Sequence, residues 1–215
     1  LENQINMDFE QELFNFEESL LKKNIHLFNA AKKKLFNKID NRELGFIEDL
    51  KRKNFSYIEK ISYKLKRFEN IIFLGTGGSS LGGKTLASFK SDFLYKQKKP
   101  RIFFIENIDQ DSIDNLISLI NLKRTAVVVI SKSGETLETL AQFFFIYNKI
   151  KKKKIPLQKS FFIITENKKS TLKKIQEKEN FNFFEHDQKI GGRFSVFSIV
   201  GLIPANISGF KIKSF

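Results

Sequence analysis

The chain has 215 residues, 41% of them hydrophobic, which is room for one sizeable α/β domain with its core and an appendage. It has no cysteine, which excludes a disulfide framework, a thiolate metal site and a cysteine nucleophile and fits a reducing cytoplasm; the two histidines, His26 and His186, lie too far apart in sequence to suggest zinc. A net charge of +14 would suit a nucleic-acid ligand, but the lysines are spread through almost every segment and accompany an excess of phenylalanine. That joint excess reads as compositional bias, and no nucleic-acid partner is expected.

No signal-peptide pattern opens the chain, since Glu2, Asp8, Glu10 and Glu12 interrupt the apolar residues. The first residue is leucine rather than methionine, and the chain is read as a fragment of something longer. Between Asp8 and about Ile39, residues Leu13, Phe14, Phe16, Leu20, Leu21, Ile25, Leu27 and Phe28 recur at helical spacing, predicting an amphipathic helix or helical pair. Gly45–Leu50 and Tyr57–Phe68 repeat the pattern in shorter form. Residues 1–65 are therefore read as a helical arm without recognisable chemistry, and 66–215 as the domain that carries it.

From Asn70 the pattern changes. Short apolar runs at Ile71–Leu74, Arg101–Ile105, Ala126–Ile130, Ser160–Thr165 and Phe181–Phe184 predict strands. Helices are expected after Gly83, over Asp111–Asn121 with Asp111 or Ser112 as cap, from about Glu135 to Lys152, from about Ser170 to Lys178, and after Gly192. Strands alternating with helices imply right-handed crossovers and a parallel sheet covered on both faces, an α/β fold. The longest uncharged stretch, Phe194–Phe210, includes Pro204 and several polar residues and falls short of the roughly 20 apolar residues of a membrane span. It is read as a buried helix, and no membrane partner is expected.

Ligands of such sheets bind beyond the strands' carboxyl ends, where the strand order reverses. Three turns suit that place. Ser131–Thr136 joins a buried strand to a helix, so free N–H groups of the first helical turn, the positive end of the helix dipole and the hydroxyls of Ser131, Ser133 and Thr136 can converge on a phosphate-sized anion, with Lys132 adding charge. The same residues would also make a plain tight turn and cap. Gly75–Gly83 is open to several readings. Gly78 to Thr85 meets the letter of a P-loop, with Lys84 for phosphate and Thr85 for magnesium, but three residues separate the strand from the first glycine and only Glu106 offers itself as a magnesium carboxylate. The dinucleotide fingerprint fails at Ser80. In the remaining reading, Gly77 and Gly78 let the backbone approach a small polar ligand and Ser79 holds it. The third turn is Gly191-Gly-Arg193.

Taken together, Gly75-Thr-Gly-Gly-Ser-Ser-Leu-Gly82, Ser131-Lys-Ser-Gly-Glu-Thr-Leu-Glu-Thr139 and Gly191-Gly-Arg-Phe-Ser-Val-Phe-Ser-Ile-Val-Gly-Leu202 resemble, in order, the signatures of the glucose-6-phosphate isomerase family. The last is much the most specific, and the resemblance covers about residues 66–210. It implies a sugar-isomerase (SIS) domain, a five-stranded parallel sheet between helices in a flavodoxin-like three-layer sandwich. It further implies a hexose 6-phosphate ligand, no cofactor or metal, a homodimer in the full-length protein and a cytoplasmic location. The resemblance puts the sugar's phosphate against Ser131, Ser133, Thr136 and the backbone around Lys132, and the sugar against Gly78 and Ser79. Arg193, preceded by Gly192, would stabilise the negative charge of an enediolate as the proton moves between C1 and C2. Glu138 resembles the family's supporting acid. Glu135 departs from the family, which has Ser or Thr there; a carboxylate aimed at a phosphate would repel it, so Glu135 must turn outward or weaken binding. In the family the glutamate base, the ring-opening histidine and a late lysine follow the Gly-Gly-Arg block, so a second SIS domain is expected after 215. The fragment is expected to keep the phosphate pocket and turn nothing over. A sugar-phosphate-binding regulatory domain of the same fold, and after it a P-loop nucleotidase, are the alternatives.

Overall fold

Five apolar runs become strands, the three central ones buried along their whole length and the two edge ones half-buried. In the computed structural model, which describes residues 18–51, 54–89 and 100–214, the elements run in chain order as follows. Helices α1 (Glu18–Asp40), α2 (Gly45–Leu50) and α3 (Ser56–Leu65) precede strand β1 (Asn70–Leu74), α4 (Leu81–Ser88) and β2 (Arg101–Ile105). Then come α5 (Gln110–Leu119), β3 (Thr125–Ile130), α6 (Leu137–Lys152), the short α7 (Leu157–Ser160), β4 (Phe161–Thr165), α8 (Thr171–Glu179), β5 (Asn182–Glu185) and α9 (Ile199–Ser208). Residues 1–43 and 44–215 form two units. In the first, α1 carries Leu27, Phe28, Leu35 and Phe36 exposed. The second contains α2, α3 and everything that follows. The expected helix start at Asp8, with Leu13, Phe14 and Phe16, lies outside the described residues.

All strand pairs are parallel, in the order β2-β1-β3-β4-β5. The alternation of side chains splits the core into two layers. Ile71, Phe73, Ala126, Val128, Ile130, Phe162 and Ile164 pack under α3, α4 and α9 through Ile58, Leu65, Leu86, Val200 and Ile203. Ile72, Leu74, Val127, Val129, Phe161 and Ile163 face α5, α6 and α8, where Ile113, Phe143, Ile146 and Leu172 meet them. This is the three-layer α/β sandwich expected. Strand order reverses between β1 and β3, and the aligned register, with Leu74 opposite both Ile105 and Val129, brings the loops after β1, β3 and β4 to one edge.

Several boundaries differ from the sequence reading. The cap of α5 is Asp109, whose carboxylate accepts from the backbone N–H groups of Asp111 at 3.3 Å and Ser112 at 3.2 Å; an earlier extended residue reaches both donors, which Asp111 and Ser112 cannot. Helix α6 begins at Leu137, because Ser131–Thr136 is used up by its own side-chain bonds. Ser160 closes α7, its hydroxyl donating to the Pro156 carbonyl at 3.2 Å, and β4 starts one residue later. Strand β5 is shifted by one residue, since Phe181 packs with Phe143 and Phe161 under α6. Phe194–Phe210 is split into a 3-10 turn, which begins at Gly192 and ends at Phe197, and the buried α9. No described helix is long and apolar enough to cross a membrane.

Candidate functional site

The turn after β3 is shaped by its own hydroxyls. Ser131 donates its N–H to the Ile164 carbonyl at 3.1 Å, its Oγ accepts from Gly134 N–H at 3.1 Å, and Ser131 Oγ and Thr136 Oγ1 lie 3.0 Å apart. Gly134 has a φ of +69°, and a Cβ there would meet Ser170 Oγ at 2.2 Å, so both backbone and space demand glycine. Ser133 Oγ accepts from Glu135 N–H at 3.1 Å. Because the Thr136 hydroxyl goes to Ser131, it makes no capping bond to α6. The first N–H groups of that 16-residue helix are left to water or to an anion.

Two further loops meet this turn. After β1, Gly77–Ser79 forms a single 3-10 turn, and beyond β5 the chain returns through Gly191–Arg193. A Cβ on Gly78 would stand 2.1 Å from the Gly192 carbonyl oxygen, so the two loops touch backbone to backbone. The buried Ser195 hydroxyl shares its proton between the carbonyls of Gly78 at 2.9 Å and Gly192 at 2.7 Å and pins the contact.

Between the loops lies a cleft of about 390 Å³. Gly78 and Ser79 line it from the first loop, together with Thr76; Lys132, Ser133 and Thr136 from the second; Gly192 and Arg193 from the third. The exposed Arg193 side chain makes no hydrogen bond or ion pair with another described residue. Ser131, only 1% exposed, lies beneath the cleft and acts through Thr136 and Gly134. Glu138 is exposed on α6 and is not among the lining residues.

Glu166 and Lys168, in the loop after β4, complete the lining and were missed in the sequence. The signal was available, because Glu166 directly follows a buried strand at the carboxyl edge, as Ser131 does. The Glu166 carboxylate is 5% exposed, 3.4 Å from Lys132 Nζ and ion-paired with Lys168. Burial pushes its pKa up, but the ammonium groups of Lys168 and Lys132 outweigh this and hold it below the ordinary carboxylate range. Lys132 Nζ also donates to the Gln188 carbonyl at 3.2 Å. The cleft therefore sets three cations against one carboxylate.

Glu135 turns outward, one of the two outcomes the sequence left open. Its carboxylate accepts from Thr171 N at 2.6 Å and Thr171 Oγ1 at 2.7 Å, closing the first turn of α8, and those bonds lower its pKa. Lys84, the P-loop candidate, is instead 2.5 Å from Glu106, which also accepts from Ser80 Oγ at 3.0 Å. His186, at the end of β5, is 2% exposed; its Nδ1–H donates to the Asp187 carbonyl at 2.9 Å and burial pushes its pKa down. Among the described residues no three His, Cys, Asp or Glu side chains gather as metal ligands.

A parallel sheet ordered 2-1-3-4-5 with a hydroxyl-lined, cationic cleft at its switch point defines the α/β domain of the sugar-isomerase type. Residues 34–214 match phosphoglucose isomerase, and the chain belongs to that family. A probable glucose-6-phosphate isomerase of Methanococcus maripaludis is 41% identical over 174 residues, covering 80% of this chain and 39% of the relative. A crystal structure of a glucose-6-phosphate isomerase from Chlamydia trachomatis superposes with a TM-score of 0.60 at 31% identity, covering 70% of this chain and 28% of that one. A hypothetical protein from Thermus thermophilus shares the fold, with a TM-score of 0.75 at 24% identity over 91% of this chain and 47% of its own. The chain thus spans less than half the length of these relatives.

Proposed function

We propose that this chain supplies the phosphate-binding half of a glucose-6-phosphate isomerase site, where glucose 6-phosphate and fructose 6-phosphate interconvert by proton transfer through a cis-enediol. The observation that carries the reading is the meeting of three loops of one sheet edge around a single cleft with an excess of positive charge. The phosphate lies against Ser133, Thr136 and the N–H groups leading into α6, with Ser131 holding the turn from below. Gly78 and Ser79 lie on the sugar side and Gly192 lets the backbone pass close; Glu138, on α6 outside the cleft lining, has a supporting role only by the family resemblance.

In the forward direction a base takes the proton from C2 of the open-chain aldose, the electron pair forms the C1–C2 double bond, and the negative charge moves onto oxygen. Arg193, whose side chain has no partner among the described residues, meets that charge. A proton passes from O2 to O1 in the cis-enediol, and the proton taken from C2 then returns at C1 as the C2 carbonyl forms, giving the ketose. Glu166 is shared by two ammonium groups and is poorly suited as the base, so this reading assigns proton abstraction to a carboxylate outside the cleft lining described here.

Titration of these 215 residues with glucose 6-phosphate, glucose and magnesium ATP tests the reading. Thermal stabilisation by the phosphorylated sugar but not by glucose is the expected result; stabilisation by ATP alone would overturn it. In the whole protein, Arg193→Ala is expected to lower kcat by about 10²- to 10³-fold in a coupled assay, the size seen when one donor to a developing oxyanion is removed.

A further inference from the structure

Glu166 stands out once the rest of the cleft is accounted for. A carboxylate beside an anion site opposes the ligand's charge, yet this one is almost fully buried at the cleft wall and tied to two of the three cations that line it. It is also tied to the same turn through the backbone. Glu166 N–H donates to the Lys132 carbonyl at 3.2 Å, and Thr165 Oγ1 donates to that same oxygen at 3.2 Å. Residue 132 is thus gripped at both ends, its carbonyl by the β4 loop and its ammonium by Glu166 and the Gln188 carbonyl.

We propose that Glu166 is a positioning residue that holds the ammonium groups of Lys132 and Lys168 together over the cleft, fitting it to a phosphate dianion. The proposal rests on reading the cleft as a sugar-phosphate site and adds to that reading the residues that set its charge and geometry. A lysine side chain loses much rotamer freedom when ordered, and a loose ammonium would have to be ordered by the ligand at the moment of binding. With Glu166 in place that ordering is done beforehand. The surplus left by three cations and one carboxylate matches the roughly −2 charge of a phosphate ester near neutral pH.

The test uses the 215-residue chain and inorganic phosphate as the probe. If Glu166 only subtracted charge, Glu166→Gln would bind phosphate more tightly than the wild type. If it positions the lysines, Glu166→Gln weakens phosphate binding on the order of tenfold, the loss of one charge-assisted contact, and Glu166→Asp recovers part of it. Affinity in Glu166→Gln equal to or above that of the wild type would overturn the proposal. A second measurement needs no variant. In the ligand-free wild-type chain the Lys132 Nζ ammonium should give a 15N signal protected from exchange with water, and an ammonium in free exchange would also overturn it. Failure of the wild-type chain to bind phosphate at all would instead remove the reading of the cleft, and this proposal with it.

Discussion

At Gly78 the absence of one carbon decides whether the cleft exists. A methyl group there would overlap the Gly192 carbonyl oxygen, and neither backbone can yield without moving a loop of the site. Gly78→Ala is therefore expected to lower stability by about 2–3 kcal/mol, within the usual span of steric substitutions, and to abolish measurable phosphate binding. Chemical denaturation and a phosphate titration of the same variant would check both. His186 carries a different prediction. Burial favours its neutral form in the folded chain, so its folded pKa lies below the unfolded value of about 6.5. The unfolded chain then takes up protons first as pH falls. Stability should decline from about pH 7 towards pH 5, and His186→Asn should flatten that decline in denaturant midpoints measured across the range. A slope that the variant leaves unchanged would assign the effect to other groups.

At the scale of elements, β3 and α6 do the most to place the site. All six residues of β3 are buried, which fixes the height at which Ser131 leaves the sheet. Helix α6 then leans on the sheet through Phe143, which is fully buried and contacts Phe161, Phe181 and Tyr147. Phe143→Ala is expected to destabilise the chain by about 3–5 kcal/mol, visible in the denaturant midpoint, and to weaken phosphate binding only as far as the turn at the helix start loosens. Helix α9 places the third loop. Its cap, Ser198, accepts from Val200 N–H at 3.2 Å and donates to the Ser195 carbonyl at 2.7 Å, tying the helix to the turn that carries Arg193. The strands and helices were legible because their periodicity reports burial. The caps and first residues were less so, because a side chain such as Asp109 or Thr136 can serve either a helix end or a neighbouring turn, and only geometry shows which.

The positive charge is spread along the whole sequence, and the cleft sets three cations against one carboxylate on a concave, hydroxyl-lined surface. Ligand attraction should then contain a long-range part that salt screens over about 10 Å at 0.1 M. Phosphate affinity is expected to fall severalfold between low and physiological ionic strength, measured by titration at fixed pH. A salt-independent affinity would mean that short-range bonds alone hold the anion.

By itself the sequence determined the alternation of strands and helices, the family resemblance and the three turns, because each is written in local pattern: burial period, glycine and hydroxyl spacing. It also showed that Glu135 had either to face away from a bound phosphate or to weaken its binding. The tertiary structure alone decided which turns touch, since the contact of Gly78 with Gly192 joins loops more than a hundred residues apart and depends on strand order. It alone brought Glu166 against Lys132 and Lys168, placed Ser131 beneath the cleft rather than in it, and sent Lys84 to Glu106. Charge partners are chosen by proximity in three dimensions, and a spacing along the chain holds no record of them.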